Sequence, residues 1–200
     1  MRPDVRIVVG LGNPGEDYER TRHNIGFRVV EELLGRHGRP YQERRARSLL
    51  GRMRIEERPV LVARPQTFMN RSGASVRALL DHAEAGPEHL LVVCDDFHLD
   101  VGTLRVRSAG GPGGHNGLLS IIETLETESF ARLRLGVGPV HPGVPHADFV
   151  LGRFARREEA QLPEVIGRAA DCVERVVALG VTAAMNEFNR PRAGAAGNTD

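Results

Sequence analysis

Two hundred residues with 40% hydrophobic and 26% charged side chains suit one globular domain, and a formal net charge of +1 does not by itself announce a nucleic-acid binder. All 27 basic residues are arginine, which excludes Schiff-base lysine chemistry and the lysine of a Walker A loop. Cys94 and Cys172 are too few for a disulfide scaffold and lack zinc-ligand spacing, no apolar run could cross a membrane, and no charged-then-apolar leader opens the chain, so a cytoplasmic protein with reduced thiols is expected.

In chain order, residues 5–11 are a β-branched run ending in a glycine turn, a buried strand. Residues 25–36 carry Ile25, Val29, Val30, Leu33 and Leu34 at helical spacing. Residues 49–55 and 59–63 read as paired strands, and 72–84 as a helix with Ser72 as its cap. Residues 89–95 form a second buried strand and 103–107 another. A glycine-rich loop at 110–114 precedes a helix over 118–126, a strand over 131–137, and helices over 156–179 and 181–188. Strands alternating with helices predict one α/β domain over residues 1–190, a mixed, twisted sheet flanked by helices. Residues 191–200 have no apolar side chain beyond alanine and read as a disordered tail.

Three asparagines sit in constrained segments: Asn13 in Gly10-Leu11-Gly12-Asn13-Pro14-Gly15, Asn70 in Gln66-Thr67-Phe68-Met69-Asn70, and Asn116 in Gly113-Gly114-His115-Asn116-Gly117. A carboxamide carries donor and acceptor together, so several converging on one point hold a neutral polar substrate without adding charge. His23, beside Asn24, has an imidazole suited to taking a proton from water, and Asp95 or Asp96 could fix its tautomer. These residues fall at the carboxyl ends of strands or just after them, the edge where open α/β sheets bind ligands. The first glycine motif matches a dinucleotide fingerprint in form only, because helical periodicity does not resume until Ile25. Asp95, Asp96 and His98 could be half of a metal site, but no second ligand cluster accompanies them. The glycine loop before His115 would allow close approach of a large ligand, with a phosphate on the free N–H groups of the next helix.

Val9 to Gly15, Tyr18, Thr21-Arg22-His23-Asn24-Ile25-Gly26-Phe27, Thr67-Phe68-Met69-Asn70-Arg71-Ser72-Gly73, Asp95-Asp96 and Gly113-Gly114-His115-Asn116-Gly117-Leu118 resemble bacterial peptidyl-tRNA hydrolase. The likeness continues through Phe130 to Gly138, Phe149-Val150-Leu151 and Ala184 to Asn189, so it covers nearly the whole chain in order. It implies hydrolysis of the ester between an N-blocked peptide and the terminal ribose of tRNA, with no metal or organic cofactor, by a cytoplasmic monomer that meets the tRNA acceptor end. By resemblance His23 is the base, Asp95 its supporting acid, and Asn13 the residue that distinguishes a blocked peptide from a free aminoacyl group. Tyr18, Phe68, Asn70, Asn116 and His115 are implied in substrate binding, and Arg107, Arg132 and Arg134 lie where relatives contact tRNA phosphates. Asn70 or Asn24 is expected to donate to the developing oxyanion. The chain departs from the family in having Arg64 where lysine is common, and Phe97-His98-Leu99-Asp100 after the paired acids. Two other functions fit parts of the pattern: RNA binding without turnover, as in a plant organelle splicing factor of this fold, and a nucleotide-dependent oxidoreductase.

Overall fold

The β-branched run after Val5 forms β1 (Ile7–Gly10), buried at every position, in a computed structural model that describes residues 5–38, 40–140 and 142–190. The other strands are β2 (Glu43–Arg45), β3 (Ser48–Ile55), β4 (Arg58–Pro65), β5 (Leu90–Asp100), β6 (Leu104–Arg107) and β7 (Ala131–Gly138). The helices are α1 (Ile25–Arg36), α2 (Ser72–His82), α3 (Asn116–Leu125), α4 (His146–Leu151), α5 (Arg156–Glu159), α6 (Leu162–Leu179) and α7 (Val181–Phe188). One sheet takes the strands in the order β2-β3-β4-β1-β5-β7-β6. Its central strands β4, β1, β5 and β7 are parallel, with antiparallel pairs at either side, so the sheet is mixed as expected.

Alternate side chains of β1 enter different cores, as a pleated strand requires. Val8 packs with Val29 and Leu33 of α1 and Val173 of α6, whereas Ile7 and Val9 pack with Leu79 of α2 and Ile121 of α3. The result is three layers, with the parallel strands covered on both faces. The contact between α1 and β1 is very close: a Cβ on Gly10 would lie 2.3 Å from the Gly26 carbonyl oxygen, and one on Gly26 only 2.5 Å from that of Val93. The glycines of the first motif therefore admit a helix rather than a pyrophosphate.

Several boundaries differ from the sequence expectation. β5 runs on to Asp100 instead of stopping at Asp95, with an irregular register against β7 between Asp96 and Asp100. The expected helix over 156–179 is two helices, because Pro163 has no N–H for a helix interior and sits in the first turn of α6. Ser72 does not cap α2; it is the helix's first residue, and its hydroxyl donates to the Met69 carbonyl at 2.8 Å. Strand β2, helix α4 and 3₁₀ turns at Glu16–Tyr18, Arg22–Asn24, Met69–Arg71 and Pro87–His89 are too short to leave a periodic signal. The expected tail at 191–200 lies outside the described residues.

Candidate active site

The last pairing of β1 with β5 is Gly10 with Val93, so β5 projects past its neighbour and Asp95 stands at the resulting crevice. The chain leaving β1 brings Asn13 to that crevice, and the 3₁₀ turn Arg22–Asn24, just before α1, brings His23. Asn70 arrives in the 3₁₀ turn that follows β4, and Asn116 as the first residue of α3. Asn13, His23, Asn70 and Asn116 line one cavity of ≈ 460 Å³, whose other wall is apolar: Phe68, Met69, Val150 and Leu151. Tyr18 meets the exposed ring of Phe68 edge-on, with centroids 6.4 Å apart. The widely separated residues singled out in the sequence thus converge on one cleft at the carboxyl edge of the parallel strands.

Asp95, fully buried, answers the choice between the two acids: its Oδ1 lies 2.7 Å from His23 Nδ1. Asp96 instead accepts from Arg134 Nη1 at 3.1 Å. Burial alone would raise the Asp95 pKa, but the attraction and N–H groups of His23 and His115 hold it well below the usual carboxylate range. An ionised carboxylate only accepts, so the shared proton of His23 is on Nδ1 and the neutral ring keeps a lone pair on Nε2. For His23, burial disfavours the cation, yet attraction to Asp95 and the hydrogen bond outweigh it and the pKa rises above 6.5.

His115, expected among the binding residues, is buried with both ring nitrogens engaged. Its Nδ1 accepts from the backbone N–H groups of Gly117 and Leu118 at 3.1 and 3.2 Å, capping α3 with its own ring. The expected phosphate position on that helix end is therefore filled by an imidazole. The remaining proton must sit on Nε2, which donates to the same Asp95 Oδ1 at 3.0 Å. His23, Asp95 and His115 offer ligand atoms within 4.8 Å of one another, close enough to hold a cation. Both tautomers, however, turn an N–H toward Asp95, so hydrogen bonding accounts for the cluster without an ion.

The asparagines divide by what their amides already bind. Asn24 Oδ1 accepts from Asn13 N–H at 2.8 Å and its Nδ2 donates to the Asn13 carbonyl at 2.9 Å, so Asn24 is a brace for the Asn13 backbone and no free oxyanion donor. Asn13 Oδ1 accepts from Met69 N–H at 2.8 Å. An N–H can only donate, so this atom is the oxygen and the amide presents Nδ2 to the cleft as a pure donor. Asn70 and Asn116 are exposed in the cleft wall.

The arginines also divide. Arg107 is exposed on β6, away from the cleft lining. Arg132, expected among the phosphate contacts, is 1% exposed and over the Phe130 ring, and it donates to the carbonyls of Gly110, Glu128 and Phe130. Arg134 reaches the carbonyls of Gly111 and Pro112 at 3.1 and 2.9 Å besides Asp96. Both guanidiniums hold the glycine loop to the sheet. His98 is exposed and stacked on Phe97, with centroids 4.3 Å apart, outside the His23–Asp95–His115 cluster. Sequence reasoning quoted Arg22 and Phe149-Val150-Leu151 among the motifs without seeing that α4 walls the cleft or that the Arg22 side chain packs on the Phe149 ring at 4.5 Å; a six-residue helix carries no periodicity to find.

The model of the family described as Peptidyl-tRNA hydrolase matches residues 7–196. The chain is 50% identical over 184 residues to a peptidyl-tRNA hydrolase of Chloroflexus aggregans, covering 92% of this chain and 98% of the relative. It is 40% identical to that of Geobacillus kaustophilus over 185 residues, 92% of this chain and all of the relative. The crystal structure of peptidyl-tRNA hydrolase from Acinetobacter baumannii superposes with a TM-score of 0.87 at 36% identity, covering 96% of this chain and 97% of that one. An imidazole with an open nitrogen, its buried carboxylate and a set of amides in one cleft are what ester hydrolysis needs, and with this similarity along its length the chain belongs to the peptidyl-tRNA hydrolase family, hydrolases acting on ester bonds.

Proposed function

We infer that the cleft hydrolyses the ester between an N-blocked peptide and the 3′-terminal ribose of tRNA by histidine-assisted attack of water. His23 Nε2 takes a proton from water as its oxygen bonds to the ester carbon, and Asp95 stabilises the imidazolium. When the tetrahedral intermediate collapses, the bond to the ribose oxygen breaks and that oxygen receives the proton back from His23. Asn13 Nδ2 and the Asn70 amide offer donors to the carbonyl oxygen that gains charge, a role worth about 3–4 kcal/mol for a donor in place before the reaction. Because Asn13 offers only N–H toward the cleft, a peptide carbonyl satisfies it, whereas the ammonium of a free aminoacyl ester brings donors against a donor. The apolar wall of Phe68, Met69, Val150 and Leu151 suits the side chain of the esterified amino acid, and Tyr18 backs Phe68. Asn116, with His115 behind it, borders the same cleft.

The observation that carries this mechanism is the 2.7 Å contact of His23 Nδ1 with buried Asp95, in a cleft that His23 and three amides line. The protein acts on this reading as one catalytic unit over the residues before the tail, as a monomer in the cytoplasm, with the tRNA acceptor end beside the cleft and no organic cofactor or metal. Among the described residues no helix is long and apolar enough to cross a membrane. Incubation with N-acetyl-aminoacyl-tRNA tests it: the protein releases free tRNA, and His23→Ala lowers turnover at least about a hundredfold. Near-native turnover by His23→Ala would refute the base assignment, and binding without release would favour an RNA-binding role.

A further inference from the structure

Arg22 precedes the proposed base and is not part of the cleft lining, yet its side chain is 10% exposed and, among the described residues, its side-chain partners lie in one downstream segment. Its Nη1 donates to the Arg153 carbonyl, and its Nη2 meets Glu158 Oε2 at 2.6 Å. Its Cζ lies 4.5 Å from the Phe149 ring centroid and 5.0 Å from that of Phe154. The backbone joins in: Arg22 N–H donates to the Gly152 carbonyl at 3.0 Å, and Thr21 forms an antiparallel bridge with Arg153. The segment so held begins with α4, and α4 supplies Ala147, Val150 and Leu151 to the cleft wall. At its first residue α4 has a second attachment, the His146 ring 4.3 Å from that of Phe97. The helix that carries this apolar face is thus attached at both ends.

We propose that Arg22 is a positioning residue that sets how tightly the cleft holds the acyl part of the substrate, by locking the α4 wall against the turn that carries His23. The proposal rests on the hydrolytic reading above and adds to it the determinant of acyl-side affinity. A planar guanidinium does what no lysine could at this place: it stacks on two rings while donating in two directions. Arg22 makes no contact with Asp95 or with the reacting atoms, so its loss should leave the titration of His23 alone.

The test compares the intact protein with Arg22→Met and Arg22→Lys on N-acetyl-phenylalanyl-tRNA. Arg22→Met is expected to raise KM about tenfold, the worth of a desolvated cation–π contact with its ion pair, while kcat changes much less and the acid limb of the pH profile stays in place. Arg22→Lys should recover only part of that. Competition by deacylated tRNA should be the same in all three proteins, because the wall faces the acyl group. An unchanged KM overturns the proposal, as does an equal loss of affinity for deacylated tRNA or a displaced acid limb. Should Arg22→Met fail to fold, Glu158→Gln removes the charge partner and leaves the stacked arginine, with a smaller KM rise expected and an unchanged KM decisive against it. If the unmodified protein cleaves nothing, the mechanism fails rather than the lock; affinity for the uncleavable 3′-amide analogue of the same substrate, weakened by Arg22→Met or not, then decides this inference.

Discussion

Asp95 Oδ1 accepts two imidazole N–H groups, and the second of them sets how the first behaves. His115 cannot turn over, because two backbone N–H groups of α3 hold its Nδ1. Asp95 is thereby kept ionised, and it raises the pKa of His23 against the opposing effect of burial. The sign for activity follows directly: the base works when neutral, so kcat/KM is lost as pH falls through a His23 pKa above 6.5. In Asp95→Asn the attraction is gone while burial remains, so the acid limb should move to lower pH as the plateau falls by about 10²–10⁴. A pH profile of this variant with an unmoved limb would break the link between the two residues. His23 and Asn13 were legible as residue types in constrained motifs. That Asp95 rather than Asp96 meets His23, and that Asn24 Oδ1 and Nδ2 bind the Asn13 backbone, was not, because adjacent residues of a strand face opposite sides of a sheet and sequence does not say which side holds the histidine.

At the scale of elements, the glycine loop is held by arginines that look in sequence like phosphate ligands. Arg132 and Arg134 alternate with Leu133 and Leu135 on β7, a pattern that usually marks a solvated face. Here every residue of β7 is buried, because β6 pairs with its outer edge and the loop before α3 folds over the two guanidiniums. Replacing Arg132 with methionine leaves the Gly110 and Phe130 carbonyls without their guanidinium donor, while the Glu128 carbonyl still accepts from the N–H groups of Gly110 and Phe130. Each orphaned group costs about 1–3 kcal/mol, so the variant should lose roughly 3 kcal/mol and on the order of 6–12 °C in Tm. An unchanged melting temperature would show that the arginine is not structural. The outer edge of β6 is closed in a similar way: Asn189 accepts from Val106 N–H at 2.7 Å and donates to its carbonyl at 3.0 Å, in the manner of a neighbouring strand.

For the whole molecule, the even charge balance leaves tRNA affinity to local groups rather than to a general field. Arg107 is exposed on β6 near exposed Arg105, so Arg107→Ala should weaken tRNA binding and reduce the slope of log K against log salt by roughly one. Arg132→Met should leave that slope alone, and equal slopes for Arg107→Ala and the unmodified protein would exclude Arg107 as a phosphate contact. The longer strands and helices in their chain order, the buried runs and the polar motifs were determined by sequence, since each depends on side-chain spacing over a few residues. The chain's family was legible for the same reason, in contiguous motifs that retain their spacing. Strand order, the crevice beyond the end of β1, the choice of carboxylate, the inward turn of Arg132 and the apolar wall of α4 were decided only by tertiary structure. Each of these depends on which distant groups meet, and an amide or a guanidinium takes its role from the partner that folding brings to it.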